Sequence, residues 1–359
     1  MKNISLKIKD SAYDIKIGSN VVNKENLEIL SQESEVLVVF DGNLTDYDVN
    51  LLKDSLSPEL SKLNFIKIAA SEENKSIETL NEIHTILIEK KYSRDCLVIG
   101  MGGGIVCDIT GFAAATFQRG VKFILIPTTL LSQVDASVGG KTAINHSLGK
   151  NMIGAFHQPS LVLADTQFLK SLPKREIGCG LSEMIKHGLI QDYEYFFWIE
   201  KNIESLLSLD EDTLENAISK SIEIKANIVS QDEKEQNIRA WLNFGHTFGH
   251  ALELIGNFKD YNHGEAVAIG MLMAMHLSVE LEKIDKKDIL RVKNLLEKSN
   301  IDLELKKPLN AQTLFECMEG DKKKRGNTLN FIVLEKIGKA VTVNNLDRNK
   351  ILKAISSAF

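Results

Sequence analysis

Three strings in the second half of the chain carry residues that can grip a divalent metal. They are Leu181-Ser182-Glu183-Met184-Ile185-Lys186, Asn243-Phe244-Gly245-His246-Thr247-Phe248-Gly249-His250 and Asn262-His263-Gly264-Glu265. His246 and His250 are four residues apart, so on a helix both point to one side. Two imidazoles and one carboxylate form a catalytic zinc set that leaves room for water or a substrate oxygen. Imidazole suits iron, nickel or cobalt equally well, so the spacing selects no single metal. No HExxH string is present, which argues against a metalloprotease. One histidine is left over, and His250 reads as a proton-transfer group rather than a ligand. His84, His146, His157, His187 and His276 read as structural. His276 lies in an apolar stretch with Met271, Met273 and Met275 and is expected in the core.

A second chemistry is written in the first half, in CLVIGMGGGIVCDITGFAAA (96–115). An apolar strand enters Gly100, Gly102, Gly103 and Gly104, and an apolar helix follows. Such a turn offers bare backbone N–H groups where the helix is partly positive, a setting for pyrophosphate. The spacing is not G-x-G-x-x-G, because Ile105 takes the place of the last glycine. Asp108, one turn on, is placed to cap that helix or to bond a ligand. Asp41-Gly42-Asn43, and Glu72 with Lys75, also follow strand-like runs, where open α/β sheets bind nucleotides. The same residue types serve ordinary turns.

The stretch 119–151, RGVKFILIPTTLLSQVDASVGGKTAINHSLGKN, is read beyond its first strand as a polar loop built for an anion. It gathers Arg119, Lys141 and Lys150 with Asp135, Asn145 and Asn151. Arginine offers phosphate or carboxylate a two-pronged fork, and lysine a point charge.

The elements that must position these groups differ along the chain. Apolar β-branched runs at 36–40, 65–69, 96–100 and 123–126 alternate with helix-like segments such as 76–90. That alternation predicts βαβ units and a Rossmann-like parallel sheet. From about Arg175 long helical patterns take over, including 213–230 and 266–282, with two short strand-like runs at 330–334 and 340–343. The expected division is an α/β domain over 1–172 and a mainly α-helical metal- and substrate-binding domain over 173–359. Hydrophobic residues make up 43% and charged residues 26% of 359, which excludes a disordered chain. A net charge of −6 offers no global field for nucleic acid or an anionic membrane. The most apolar stretch, 266–281, is shorter than the roughly 20 residues of a membrane span. Four scattered cysteines without a CxxC pair suit a reducing cytoplasm.

Taken together, GGGIVCDITGFAAATFQRG, PTTLLSQVDASVGGKTAINHSLGKNMIGAFHQP, LSEMIKHGLI, LNFGHTFGHALE and HGEAVAIGM resemble the 3-dehydroquinate synthase family of the shikimate pathway, over about 41–324. The resemblance implies an NAD-binding α/β domain, a helical metal-binding domain and a cleft between them. It implies zinc, or cobalt, on Glu183, His246 and His263. It implies NAD contacts from Asp41, Asn43, Glu72, Lys75, Gly103, Gly104, Ile105, Asp108, Thr128, Thr129, Lys141 and Lys150, with Phe168, Leu169 and Ser171 near the cofactor. The implied substrate is 3-deoxy-D-arabino-heptulosonate 7-phosphate. Its anionic ends would meet Arg119, Lys141, Lys150, Asn151, Lys186, Lys225, Arg239 and Asn243, beside the metal set and Lys322 or Lys323. Asp135 would touch ring hydroxyls, and Glu235 and His250 match proton-transfer positions; Lys141 is counted with these as catalytic. Ser71 departs from the glycine common in the family before Glu72, a change expected to adjust one turn.

The implied reaction oxidises the substrate transiently, expels phosphate, returns the hydride and closes a ring by intramolecular aldol addition, with no net consumption of NAD. The expected assembly is a cytoplasmic homodimer that binds neither nucleic acid nor membrane. Rival readings are another sugar-phosphate cyclase, a metal-dependent alcohol or glycerol dehydrogenase, and a non-catalytic NAD-binding regulator. Arg239 and Asn243, with the rest of the basic set, favour a substrate with a carboxylate. The intact Glu183, His246, His250 and His263 argue against a decayed site.

Overall fold

Apolar β-branched runs that alternate with amphipathic helices have one stable solution, a parallel sheet covered on its faces. The computed structural model describes residues 1–9, 11–27, 35–56, 60–324 and 330–358, and of 320–324 the backbone only. The chain forms two compact units, one of residues 1–172 and 214–226 and the other of 173–213 and 227–359.

The first unit begins with the antiparallel strands β1 (Lys2–Ile8) and β2 (Ser11–Gly18). After the short α1 (Lys24–Leu27) come β3 (Glu35–Asp41), α2 (Asp46–Ser55), β4 (Lys62–Ile68) and α3 (Ile77–Glu89). They are followed by β5 (Leu97–Gly102), α4 (Gly104–Thr116), β6 (Lys122–Pro127), β7 (Lys141–His146), β8 (Gly149–Phe156) and β9 (Leu161–Asp165). The main sheet runs β1-β2-β9-β6-β5-β3-β4 and is parallel from β2 onward. Every residue of β5 and β9 is buried, as expected for strands covered on both faces. Gly100 and Gly102 let α4 lie directly on β5. A Cβ on Gly102 would sit 2.5 Å from Val106 Cγ2, and one on Gly100 2.9 Å from Thr110.

The stretch read as a polar loop is ordered. A π-helical turn, Ser132–Ala136, follows β6, and β7 and β8 form an antiparallel hairpin. The hairpin went unread because β8 alternates poorly and is mostly exposed.

The second unit contains α5 (Lys174–Gln191), α6 (Tyr193–Leu207), the two ends of α7 (Glu211–Gln231), α8 (His246–Ile255) and α9 (His263–Glu280). It continues with α10 (Lys286–Lys298), α11 (Ala311–Lys324), the hairpin β10 (Phe331–Lys336)–β11 (Lys339–Val343) and α12 (Arg348–Ser357). Residues 214–226 of α7 cluster with the first unit, a detail that helical periodicity does not carry. α9 is apolar nearly all round and forms the buried centre, with Met271, Met273 and Met275 fully buried. His276 differs from expectation: it is only partly buried, on the rim of that helix. Among the described residues no helix is long and apolar enough to cross a membrane.

Candidate active site

The metal-type residues converge because three helix segments are locked together by short-range chemistry. His263 opens α9, where Asn262 accepts a hydrogen bond from the Glu265 amide at 2.8 Å and Glu265 accepts from the Asn262 amide at 3.0 Å. The Glu265 carboxylate also takes both prongs of Arg175, at 2.7 and 2.6 Å, tying the start of α5 to the start of α9. Gly264 presses on α5 so closely that a Cβ there would lie 2.4 Å from Cys179 Cα. Its amide donates to Cys179 Sγ, and Ser182 Oγ donates to its carbonyl at 3.0 Å. Glu183 is the next residue along that face.

His246 opens α8 after Gly245, whose φ of 81° is a conformation that favours glycine. α8 crosses α9 with backbones in contact: a Cβ on Gly270 would sit 2.2 Å from the Gly245 carbonyl oxygen. The glycines beside the histidines in the sequence are thus the spacers that let the two histidine-bearing helices touch.

The result is a buried set. Glu183 has no exposed surface, and its Oε1 accepts no hydrogen bond. That oxygen lies 3.7 Å from His246 Nε2 and 3.8 Å from His263 Nε2. One ligand atom from each of the three residues falls within 4.8 Å of the others. Ligands about 2 Å from a tetrahedral zinc stand roughly 3.3 Å apart, so the set fits a divalent ion with small adjustments. A buried carboxylate oxygen without a partner is costly unless a cation meets it. Lys186 supplies one ammonium, to the other oxygen, Oε2. Burial holds His246 well below the usual imidazole range, with Lys186 and the neighbouring rings adding to the effect, so its ring is neutral and ready to ligate. Burial also pulls His263 down, but the Glu253 and Glu183 carboxylates outweigh it and the net direction is upward. His250 is exposed, its ring 5.4 Å from that of His246 between centroids.

Nearby in the same unit, Asp232 accepts backbone hydrogen bonds from Gln236, Asn237 and Arg239 at 2.9, 2.7 and 3.0 Å. It shapes the bend that presents Glu235, at φ 56°, and the buried Arg239. Arg239 donates to the Glu233 carbonyl, and Asn243 Nδ2 donates to Glu235 Oε1. Lys322 and Lys323 lie on α11, and their side chains are outside the described residues.

The first unit brings together its own polar cluster. Buried Lys75 meets Asp108 on α4 and donates to Asn151 Oδ1 at 2.6 Å on β8. Burial raises the Asp108 carboxyl against the pull of Lys75. Asn145 donates to Glu72 Oε2 at 2.8 Å, its amide donates to the Lys75 carbonyl, and Lys150 stands 3.4 Å from Glu72. Lys225 donates to the Asp135 carboxylate and carbonyl at 2.6 Å each, and Gln133 anchors the same π-turn by donating to the Pro127 and Asp165 carbonyls. Gly103 caps α4, leaving the first amides of Gly104 and Ile105 without intrahelical acceptors. A Cβ on Gly103 would meet Thr129 at 3.2 Å and one on Gly104 would meet Ala136 at 3.3 Å, so a side chain at either position would crowd its neighbour. Thr128 donates its amide to Gly102, and Thr129 pairs with Ser132. Asp41 accepts from the Asn43 amide at 2.9 Å, and burial raises its carboxyl. Phe168 and Leu169 are buried, with Phe168 in the core below the sheet, and Ser171 is exposed. Lys141 is exposed at the start of β7. Arg119 stands apart: it precedes β6 and lines a cavity of about 460 Å³ with Arg94, Lys122 and His157, at the end of the parallel strands opposite the one that carries the glycine turn.

Two family models together match residues 65–324. The model of the 3-dehydroquinate synthase N-terminal region matches residues 65–179, and that of the C-terminal region matches 180–324. The chain is 40% identical to the 3-dehydroquinate synthase of Haemophilus ducreyi, over 99% of this chain and 98% of that one. It is 42% identical to that of Saccharophagus degradans, over 98% and 97%. The chain belongs to the 3-dehydroquinate synthase family. It is accordingly an enzyme of the kind that eliminates phosphate and closes a ring. Among solved structures, 2-epi-5-epi-valiolone synthase from Streptomyces hygroscopicus, with NAD+ and Zn2+ bound, has the same fold: TM-score 0.89, 25% identity, 98% of each chain covered.

Two residues that tie the helices of this cluster together carry no motif of their own: Arg175, which pairs with Glu265, and Cys179, which accepts from the Gly264 amide. The Asn262-x-x-Glu265 capping pattern was the one readable signal beside them.

Proposed function

We propose that the chain converts 3-deoxy-D-arabino-heptulosonate 7-phosphate to 3-dehydroquinate and phosphate. The observation that carries this reading is the buried Glu183 oxygen, unpartnered and facing His246 and His263, in the same unit as the cations Lys186 and Arg239. Glu183, His246 and His263 would hold zinc or cobalt. The glycine turn at 102–105, with Asp41, Asn43, Glu72, Lys75, Asp108, Thr128 and Thr129, would hold NAD+, with Lys141, Lys150 and the 168–171 turn beside it. When bound, the metal polarises substrate oxygens and the nicotinamide takes up and later returns a hydride, so the cycle is redox-neutral overall.

The chain's own groups do the rest. Lys186, Arg239 and Asn243, with Lys225, Asn151 and the lysines of 141–150, are the donors assigned to phosphate and carboxylate. Lys322 or Lys323 is assigned to the same ligand. Arg239 is held rigidly by its backbone turn, so it loses little freedom on meeting an anion. Asp135, fixed by Lys225, is assigned to substrate hydroxyls. Glu235 is oriented by Asn243, and His250 is exposed; these are the groups assigned to proton transfer. A single flexible substrate held at both ends favours ring closure by proximity. Arg119, at the opposite end of the strands, is left outside this set within one chain. A homodimer in a reducing cytoplasm is the setting we infer from the resemblance and from the free thiols of Cys96, Cys107, Cys179 and Cys317.

The test is phosphate release with several sugar phosphates in parallel, in the presence of NAD+ and zinc. Release from the heptulosonate phosphate without net NADH absorbance is expected. Steady NADH accumulation would instead indicate a dehydrogenase, and preference for a sugar phosphate without a carboxylate another cyclase.

A further inference from the structure

The string LNFGHTFGHALE ends on Glu253, an acidic residue for which the reading above has no role. Near the end of a helix such a residue is ordinarily solvated. Here it is buried, at 4% exposure, and its Oε1 faces His263 Nδ1 at 3.5 Å. The other nitrogen of the same ring, Nε2, faces Glu183 at 3.8 Å. His263 therefore stands between two buried carboxylates, one on each nitrogen. Only one nitrogen of an imidazole can bind a given ion, and the other normally donates its proton to a carboxylate or carbonyl that fixes the ring. His246 has the corresponding arrangement, with Nδ1 3.3 Å from the Phe244 carbonyl and Nε2 toward Glu183.

We propose that Glu253 is a positioning residue of the metal centre: it accepts the Nδ1–H of His263, fixes the tautomer that leaves Nε2 free to ligate, and stops the ring from turning away. The inference rests on the assignment of a metal to Glu183, His246 and His263. It differs from a reading of Glu253 as a ligand itself, in a set with His250 and His263 that lies equally close together. In that alternative set His250 is exposed, and His263 would ligate through Nδ1, leaving the fully buried Glu183 Oε1 without the ion.

The experiment measures zinc affinity by competition with a chromophoric chelator, and the visible spectrum of the cobalt-loaded chain, for wild type, Glu253→Gln and Glu253→Leu. Wild type is expected to take one ion at this site. Glu253→Leu should bind it about 10- to 100-fold more weakly, the usual effect of losing such a partner. Glu253→Gln keeps an acceptor of the same shape, so it should recover most of the affinity while shifting the cobalt bands. The melting temperature of each metal-free chain separates this from general damage, and if the leucine variant does not fold, the glutamine variant's cobalt bands decide. Equal affinity in all three chains with unshifted bands would overturn the proposal. Two ions in wild type, with one lost in Glu253→Gln, would also overturn it by making Glu253 a ligand. Failure of wild type to bind any ion would overturn the metal assignment itself, a distinguishable result.

Discussion

The two polar clusters of this chain are built on opposite principles. In the first unit the cluster is closed upon itself: Lys75 has Asp108 and Asn151, Glu72 has Asn145 and Lys150, and Lys225 has Asp135. What is left over there is a pair of helix amides without intrahelical acceptors, at Gly104 and Ile105, not a side chain without a partner. In the second unit the centre is short of positive charge. Glu183 is fully buried with Oε1 bare, and two imidazoles aim at it. A satisfied network is stable empty, whereas an unpaired buried carboxylate is stable only with its cation. The first cluster is therefore complete without a ligand, whereas the second is completed only by a cation.

The largest effect should come from breaking the second cluster. Glu183→Gln or His263→Ala removes a ligand outright, so turnover should fall by more than the roughly 100-fold that ends the range for losing a supporting residue. Bound metal, read by elemental analysis, should fall with it. Full activity in either variant would mean that this set is not the metal centre.

The same comparison predicts how the units respond to their ligands in heat. Zinc at about 100 times its dissociation constant adds about 2.7 kcal/mol to whatever binds it. Scanning calorimetry with and without a chelator should move one transition, by several degrees, and leave the other in place. Two transitions that shift together would show that the units do not melt separately.

In the first unit the glycines sort by what their Cβ would meet. Gly103→Ala adds a methyl group where only Thr129 stands at 3.2 Å, so folding should tolerate it. The methyl group intrudes on the approach to the helix amides, and loss of one good contact to an anion, about 1.5 kcal/mol, weakens NAD+ binding about tenfold. Gly102→Val should do the reverse, because its Cβ would meet Val106 at 2.5 Å: expression and melting temperature should fall first. Isothermal titration with NAD+ and a thermal melt distinguish the two outcomes. Equal behaviour of the variants would sink the idea that cradle and packing are separate jobs.

Acidity sharpens the contrast further. His263 is held above the usual imidazole value of about 6.5, while His246 is held well below it. A raised folded value contributes stability to the metal-free chain that is full below about pH 6.5 and lost as pH rises through the raised value. The metal needs the same nitrogens unprotonated, so it competes with that proton on His263 and not on His246. Zinc affinity should rise about tenfold per pH unit as pH climbs toward the raised value and level off above it. One proton should be released per ion, measurable by titration calorimetry in buffers of different ionisation heat. A flat profile over that window would show that His263 carries no competing proton.

What could be read from the sequence follows the range of the interactions. Strands at 36–40 and 96–100 and the helix at 76–90 were legible because periodicity is local, and the histidine strings were legible because their spacing is. The hairpin of β7 and β8 was not, since its ladder pairs residues that alternate poorly and face solvent. The pairing of Lys75 with Asn151 spans 76 residues, and no local signal reports it. Glu253 looks like any solvated acid until α9 brings His263 against it. The glycines beside His246, Gly264 and their neighbours could be seen, but their purpose, letting helices touch, needed the crossing itself.

The smallest effect tests how far the second centre depends on its frame. Arg175 is half exposed, but its partner Glu265 is buried and also caps α9. An exposed pair contributes about 0.2–1 kcal/mol, and one buried partner places this pair at the upper end. Arg175→Ala leaves Asn262 and Glu265 to cap the helix on their own, so His263 stays at the start of α9. The melting temperature should drop by about 2–4 °C, with zinc affinity changed less than in Glu253→Leu. The ranking matters more than either number. If Arg175→Ala weakens zinc more than Glu253→Leu does, the ring of His263 is positioned by the helix end rather than by the carboxylate on its Nδ1, and the tie between α5 and α9 becomes the determinant of the centre.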